Sequence, residues 1–426
     1  MRLANLPEGK APLSLPFPLQ QWLASRALIG LVFAAIAPLS QAISPREDYQ
    51  GGWDLFMAWD SWIYQDISIQ GYHYANDRLG HNIAFFPLFP LAVRGVMGLG
   101  QPWGLGFVPA ALLVNNLAFL VALWTFYRWI HRHYSPPLAR WTIALLAWSP
   151  FSLFGTVVYT EGLFLALSLG ALMAFDDRRY GWAALAGALA TATRVTGLAL
   201  IPAFALASWQ QKRGPAAWAT TLASTGGILG FMVYGQIQFQ EPLAFLKVQQ
   251  AWNPTDQAFW GQGWLKLLSQ FFLGPWNTKS GTLEDWGYGL GMAVLLGLGA
   301  LLLQRRSTLG PWGNYGLGAL MVGMWIMAGN ALVNLAMVGG GVYGWVTQGH
   351  RLNPSQRFYS LWSLLIIFSS GRTASAERYI YAIAPLSLAL AFVVSRSPRW
   401  GYGLVAFLGL LLAVYSLRFA QGQWVA

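Results

Sequence analysis

Six of the chain's fifteen acidic residues crowd into positions 44–82: Glu47, Asp48, Asp54, Asp60, Asp66 and Asp77. Between them stand Trp53, Trp59, Trp62, Tyr64, Tyr72 and Tyr74. A solvated loop collects charge without design, but it favours Ser, Gly and Lys over tryptophan. Trp and Tyr belong at the headgroup level of a bilayer. This segment is therefore expected to lie along the outer membrane surface as an amphipathic helix. In such a helix Asp60 and Tyr64 share a face by their four-residue spacing, while Asp66 sits about 120° round from Asp60. One carboxylate can then point into a cavity while the other faces headgroups or supports the first.

Three further groups carry chemistry. In the run Tyr159-Thr160-Glu161 the glutamate is the one acid between Asp77 and Asp176. It reads either as a site carboxylate or as the acidic first turn of a helix capped by Thr160. Arg194 interrupts an apolar run, and an ionisable residue at membrane depth marks a wet cavity or an ion pair with a buried acid. Arg372, Glu377, Arg378 and Tyr379 gather ahead of a late apolar stretch. Guanidinium groups there suit bidentate phosphate recognition, with ordinary loop charge as the plainer reading. Metal chemistry finds little footing. His73, His81, His131, His133 and His350 show no ligand spacing, and there is no cysteine. P-loop, dinucleotide and nucleophile-elbow patterns are absent as well. No cofactor is expected, and ligand spacing does not support a divalent metal.

The elements that must position these groups are membrane spans. Hydrophobic residues make up 56% of the sequence and charged ones 10%, against about 25% charged in soluble domains. Apolar runs of bilayer-crossing length recur from residue 22 onward. Their backbone polar groups can pair in lipid only as helices. Spans are expected near 22–43, 104–130, 138–158, 162–175, 182–209 broken at Arg194, 216–236, 288–303, 312–346 as a hairpin, 358–370, 380–394 and 401–417. The stretch 83–100, broken by Pro87, Pro90 and Arg94, enters only partly. The expectation is an all-α polytopic transmembrane bundle of about 11–13 helices in one integral membrane domain. It carries a first external loop at 44–82 and a second, tryptophan-rich one at 237–286. The first apolar run has no small-residue cleavage site and reads as a retained helix.

Charge orients the bundle. Placing the N-terminus and the basic turns at 128–140, 176–179, 212–213, 305–306, 351–357 and 396–399 in the cytoplasm puts 15 of 26 Lys+Arg there, with 3 of 15 acids (Glu8, Asp176, Asp177). That is the positive-inside pattern. It explains the net charge of +11 without nucleic acid. Arg26 and Arg194 remain inside the membrane.

Taken in order, WDSWIYQDISIQGY, AFFPLFPLAVR, SPFSLFGTVVYTEGLF, TRVTGL and SAERYIYAIAPL resemble the PIG-V-like family, relatives of GPI mannosyltransferase II among the C-type (GT-C) glycosyltransferases. The resemblance runs from about residue 58 to 390. It implies inverting transfer of a sugar, mannose in that family, from a polyprenyl-phosphate-linked donor to a lipid-linked or glycan acceptor at the outer or lumenal face. It also implies that Asp60, at the position of the essential first-loop aspartate, is catalytic. Trp59, Tyr64, Asp66, Tyr159, Glu161, Arg194, Arg378 and Tyr379 are the candidate substrate-binding residues. Thr160 stands where the family usually has serine, and Val195-Thr196-Gly197 replaces an Asn-Gly-like pair. A single-displacement inversion needs one base and no second close carboxylate. An arginine can meet the charge on the leaving phosphate without a metal. Compact loops suggest the inner membrane of a prokaryote, with membrane lipids as partners and the site outside the cytoplasm. The alternative, a lipid-linked sugar transporter or flippase, would commonly show internal repeats, and none is evident.

Overall fold

Apolar runs that cannot hydrogen-bond to lipid close their backbone bonds internally, and helix is what the chain forms. The computed structural model describes residues 15–43, 51–77, 79–249, 251 and 259–425. Glu8, Glu47, Asp48 and Trp252 lie outside the described residues. Among the described residues there is no strand. Five helices are long and apolar enough to cross a membrane alone: Phe17–Ile43, Phe107–His133, Pro215–Phe239, Trp286–Gln304 and Pro398–Ala420. Shorter apolar helices fill in between them, including Glu161–Asp176, Leu200–Gln210, Pro354–Ser369 and Ala384–Val394. The expected hairpin at 312–346 is two helices, Pro311–Ala328 and Asn330–Gln348, meeting at Gly329 with φ +53°. The second loop is largely helical where described, through Ala244–Gln249, Gln262–Phe272 and Pro275–Ser280.

Two breaks in the helices matter for the site. The span expected at 138–158 stops at Trp148, because Ser149 precedes Pro150. A residue before proline is driven out of the helical region, and proline offers no N–H to continue the ladder. Ser149 accordingly turns extended, with ψ 139°. The chain continues as a short 3₁₀ stretch, Pro150–Gly155, then without regular structure to Thr160. The second break separates Tyr180–Thr191 from Leu200–Gln210 around Arg194, as the sequence suggests.

The first break leaves carbonyls without helical partners in the interior, and side chains from neighbouring helices answer them. Buried Asn115 donates to Phe154 O (2.8 Å) and Val157 O (2.7 Å), and its Oδ1 accepts from Gly162 N (2.8 Å). Asn116 donates to Thr156 O at 3.0 Å. Arg26 reaches Ser152 O (3.0 Å) and Ser152 Oγ (2.9 Å) with its guanidinium 4.8 Å from the Phe119 ring. The arginine left inside the membrane by charge bookkeeping thus ties the first helix to the broken one.

Two apolar clusters flank these breaks. One gathers Phe33, Phe119, Phe126, Phe151, Phe154, Tyr159, Tyr415 and Phe419. The other gathers Phe164, Phe175, Phe204, Tyr359 and Ile380. At the far end of the bundle, Asp176 accepts from Ser355 Oγ (2.6 Å) and Asn353 Nδ2 (3.0 Å), which joins the end of Glu161–Asp176 to the start of Pro354–Ser369.

Removing Asn115 strands the Phe154 carbonyl and the Gly162 N–H at roughly 1–3 kcal/mol each, while Val157 O keeps only Tyr159 N at 2.7 Å. Asn115→Leu is expected to lower the thermal midpoint of the purified protein by many degrees. Leu117→Ala, on an exposed face of the same helix, should leave it nearly unchanged. Equal midpoints for both variants would refute the bracing role.

Candidate active site

The two breaks bring their loose ends to one end of the bundle. Residues 56–61 lie against 157–159 there. Val158 N donates to Phe56 O (3.2 Å), Ser61 Oγ to Val158 O (3.0 Å) and Tyr159 Oη to Ala58 O (3.2 Å). Ser61, fully buried, also accepts from Ala58 N at 3.1 Å. Between these anchors Trp59 adopts φ +50°, ψ −108°. A bulky residue there is strained by about 1–3 kcal/mol and persists only where its surroundings over-determine it. The result is to start the Asp60–Gln70 helix abruptly, with Asp60 as its first residue.

Asp60 meets Arg378, whose Nη2 lies 3.3 Å from Asp60 Oδ2 and 3.3 Å from Ser375 Oγ. The Asp60 side chain is 29% exposed and that of Arg378 6%. The Arg378 Nε faces Glu161 Oε1 at 3.5 Å, a Coulombic contact too long for a good hydrogen bond. The same Glu161 oxygen accepts from Arg194, whose Nη1 also donates to Thr160 Oγ1 at 3.1 Å. Glu161 is fully buried, and its Oε2 has no partner among the described residues. Two carboxylates and two guanidiniums thus alternate, Asp60–Arg378–Glu161–Arg194. The capping reading of Thr160 fails: its hydroxyl makes no cap bond and serves Arg194 instead.

Aromatic faces complete the enclosure. The Arg378 guanidinium lies 4.9 Å from the Tyr159 ring and 5.1 Å from Phe154, and that of Arg194 lies 4.9 Å from Tyr379. Glycines permit the approach at two points. A Cβ on Gly162 would fall 2.3 Å from Asn115 O, and one on Gly197 2.6 Å from Ala190 O. Larger residues would push the Glu161 and Arg194 segments out of register with each other.

The structure therefore brings Asp60, Tyr159, Glu161, Arg194, Arg378 and Tyr379 together. Tyr64 packs among Phe85, Phe89 and Tyr159. Burial first, and then the Asp60 carboxylate, raise its phenol above the ordinary range, so it stays protonated. The Asp60 carboxylate is held by Arg378. Asp66 turns elsewhere, accepting from Asn82 Nδ2 (2.7 Å) with His73 Nε2 at 3.2 Å. The Trp59 ring meets Phe419 and Trp424 from the C-terminal region, not the arginines. Sequence reasoning missed Asn115, Asn116, Ser61 and Ser375. Two adjacent amides inside an apolar span were the legible signal for the first pair. Among the described residues no cluster of three or more acidic, His or Cys ligands could hold a metal.

Residues 39–211 match the family described as Mannosyltransferase (PIG-V). The match covers 173 of the chain's 426 residues. The PIG-V-like stretch contains Asp60, Tyr159, Glu161 and Arg194, whereas Arg378 and Tyr379 lie beyond it. No curated protein sequence matches the chain. Among solved structures, the Archaeoglobus fulgidus oligosaccharyltransferase complex with Zn and sulfate is similar at TM-score 0.46 and 13% identity, over 95% of this chain and 53% of that one. Its apo form gives 0.45 and 12%, over 95% and 56%. ArnT from Cupriavidus metallidurans bound to undecaprenyl phosphate gives 0.40 and 13%, over 92% and 77%. The chain spans about half the length of the oligosaccharyltransferase chains. Likeness at these scores carries no weight for its chemistry.

Taking away one partner of a buried ion pair costs about 3–5 kcal/mol, because the other charge stays buried. Arg194→Met is expected to destabilise the purified protein by that order. Adding Glu161→Gln to it should restore part of the loss in a double-mutant cycle read by chemical unfolding. Strictly additive losses would show that the pair is uncoupled.

Proposed function

We propose that this protein is a membrane glycosyltransferase, moving a sugar from a polyprenyl-phosphate donor to a lipid-linked or glycan acceptor at the extracytoplasmic face. One observation carries the reading: Asp60, partly exposed within a PIG-V-like stretch, is held by an arginine that a phosphate can claim. Mannose as the sugar follows from the family resemblance.

A carboxylate paired with a guanidinium is a poor proton acceptor. The described bonds of Arg378 run through Nη2 and Nε, and in this reading an arriving phosphate oxygen competes with Asp60 for its guanidinium. As charge grows on the leaving phosphate, Arg378 shifts its strongest bond from Asp60 to that group. The freed Asp60 takes the proton from the acceptor hydroxyl. The new bond joins the acceptor oxygen to the anomeric carbon, and the bond from that carbon to the phosphate oxygen breaks. Its electron pair leaves with the phosphate, and the configuration inverts. Glu161 and Arg194 hold Arg378 in place, since Glu161 fixes its Nε edge and Arg194 neutralises Glu161. In this reading Arg378 and not Arg194 meets the phosphate, because the described bonds of Arg194 go to Glu161 and Thr160. The chain's own residues supply base and cation, so this step is written without a metal.

The test is transfer of labelled mannose from polyprenyl-phosphate-mannose by purified protein in liposomes. General-base catalysis contributes about 10²–10⁴-fold, so Asp60→Asn should lose at least that range while folding normally. Asp66→Asn should lose much less, since Asp66 serves His73 and Asn82. Near-normal turnover in the Asp60 variant refutes the assignment, and loss confined to the Asp66 variant moves the base to that residue.

Orientation has its own test, aided by the absence of native cysteine. Cysteine placed at exposed Gln70 should react with a membrane-impermeant maleimide in intact cells, and cysteine at exposed Ser307 should not. The reverse pattern would put the site on the cytoplasmic side.

A further inference from the structure

Next to Arg378 in the chain stands a carboxylate that the mechanism does not use. Glu377 is 3% exposed. While Arg378 turns to Asp60, Glu377 turns to the Asn330–Gln348 helix. With its amide nitrogen assigned toward the carboxylate, Asn334 donates to both Glu377 oxygens, at 2.8 and 3.0 Å. Among the described residues no cation lies within ion-pair distance of Glu377. One helical turn earlier, Asn330 Oδ1 accepts from Tyr415 Oη (3.1 Å) and from Arg418 Nη1. Arg418 Nη2 donates to Trp424 O at 2.9 Å. The Trp424 ring stands 5.0 Å from that of Trp59, the residue before Asp60.

These contacts close a ring: Asp60, Arg378, Glu377, Asn334, Asn330, Arg418, Trp424, Trp59 and back to Asp60. Its polar members have capacity to spare. Asn330 and Asn334 are half-buried. With these bonds made, Asn330 still presents an amide N–H pair and Asn334 an amide oxygen. A buried carboxylate served by a single amide is expensive to keep, and so is a guanidinium with no acid beside it. Glu377 and Arg418 stand on either side of the two amides without pairing with each other.

The chemistry selects a ligand class. Glu377 repels a phosphate and Arg418 does not outweigh it, so this part of the ring favours a neutral ligand, while the donor phosphate of the proposed mechanism goes to Arg378. Donors and acceptors alternate, as vicinal hydroxyls do, and two tryptophans offer apolar faces to the C–H side of a sugar ring. We propose that Asn330, Asn334, Glu377 and Arg418, bordered by Trp59 and Trp424, form the subsite for the acceptor, a neutral polyol of the hexose class. This rests on the glycosyltransferase reading for the word acceptor, but not for the binding itself. The subsite borders the base at two points: Trp59 precedes Asp60 in the chain, and Arg378, which follows Glu377, contacts the Asp60 carboxylate.

The test uses the full chain in nanodiscs with methyl α-D-mannopyranoside as the probe. Binding is followed by intrinsic tryptophan fluorescence, and transfer from polyprenyl-phosphate-mannose is measured in parallel. The wild type should bind the mannoside saturably. Glu377→Gln and Trp424→Ala should each weaken that binding tenfold or more, with the donor KM unchanged. Trp424 is 48% exposed, so its variant reports even where Glu377→Gln impairs folding, which thermal melts will show. Absence of saturable binding in the wild type overturns the proposal, as does unchanged affinity in the Trp424 variant. A parallel rise in donor KM would assign the ring to the donor instead and also overturn it. Mannoside binding with the expected variant losses, but no transfer by any preparation, upholds the subsite and removes the glycosyltransferase reading.

Discussion

Glu161 is a carboxylate wholly buried from solvent, and the site is built around that constraint. A charge in a low-dielectric interior survives only when paired and hydrogen-bonded. Here two arginines from distant parts of the chain converge on one of its oxygens. To deliver them, the 180–210 span must break at Arg194, the span before Glu161 must break at Ser149-Pro150, and the 370–378 segment must come back across the bundle. Each break exposes backbone groups that the bilayer cannot satisfy, so each requires a brace. Asn115, Asn116 and Arg26 serve the first, and Gly197 lets the second pack close to Ala190.

The same constraint separates the roles of the two aspartates in the 60–70 helix. Asp60 stands at the helix start, reached by Arg378 and still partly open. Asp66, six residues on and about 120° round the helix, faces into the fold of its own loop, where Asn82 and His73 hold it. The Leu79 N–H, and then His81, draw the Asp77 carboxyl below its ordinary range. Asp66 and Asp77 thus shape the loop's turn, while Asp60 alone faces the arginines. The strained Trp59 backbone marks where one arrangement gives way to the other, and the hydrogen bonds of Ser61 and Tyr159 hold it there.

Arg378 is the pivot between structure and chemistry. Its guanidinium is shared by a buried acid that cannot leave and a partly exposed one that can. In the proposed mechanism, that asymmetry lets an arriving anion displace Asp60 without dismantling the cluster. An alternating array of four charges also keeps the empty site near neutrality, which limits the penalty of burying it and leaves the electrostatic gain for the moment when charge develops.

Composition and hydropathy alone determined that the chain is a bundle of membrane helices, because only internally bonded helices tolerate lipid. Chemistry alone singled out Glu161 and Arg194, because charged residues are rare in apolar runs and persist there for a reason. It singled out Arg378 because a guanidinium suits a phosphate, whereas the resemblance to PIG-V-like proteins picked Asp60 from the acids of its loop. The Ser149-Pro150 break was legible in principle, yet the apolar character of 150–158 concealed it, since hydropathy reports burial and not backbone geometry. What only the tertiary structure decided is pairing. Arg194 answers Glu161 instead of a phosphate, Asp66 turns away, Trp59 meets the C-terminal region, and Glu377 faces Asn334 while its neighbour faces Asp60. Such contacts join residues tens to hundreds of positions apart. Which acid meets which base depends on how helices pack sideways against one another, and no local periodicity records that.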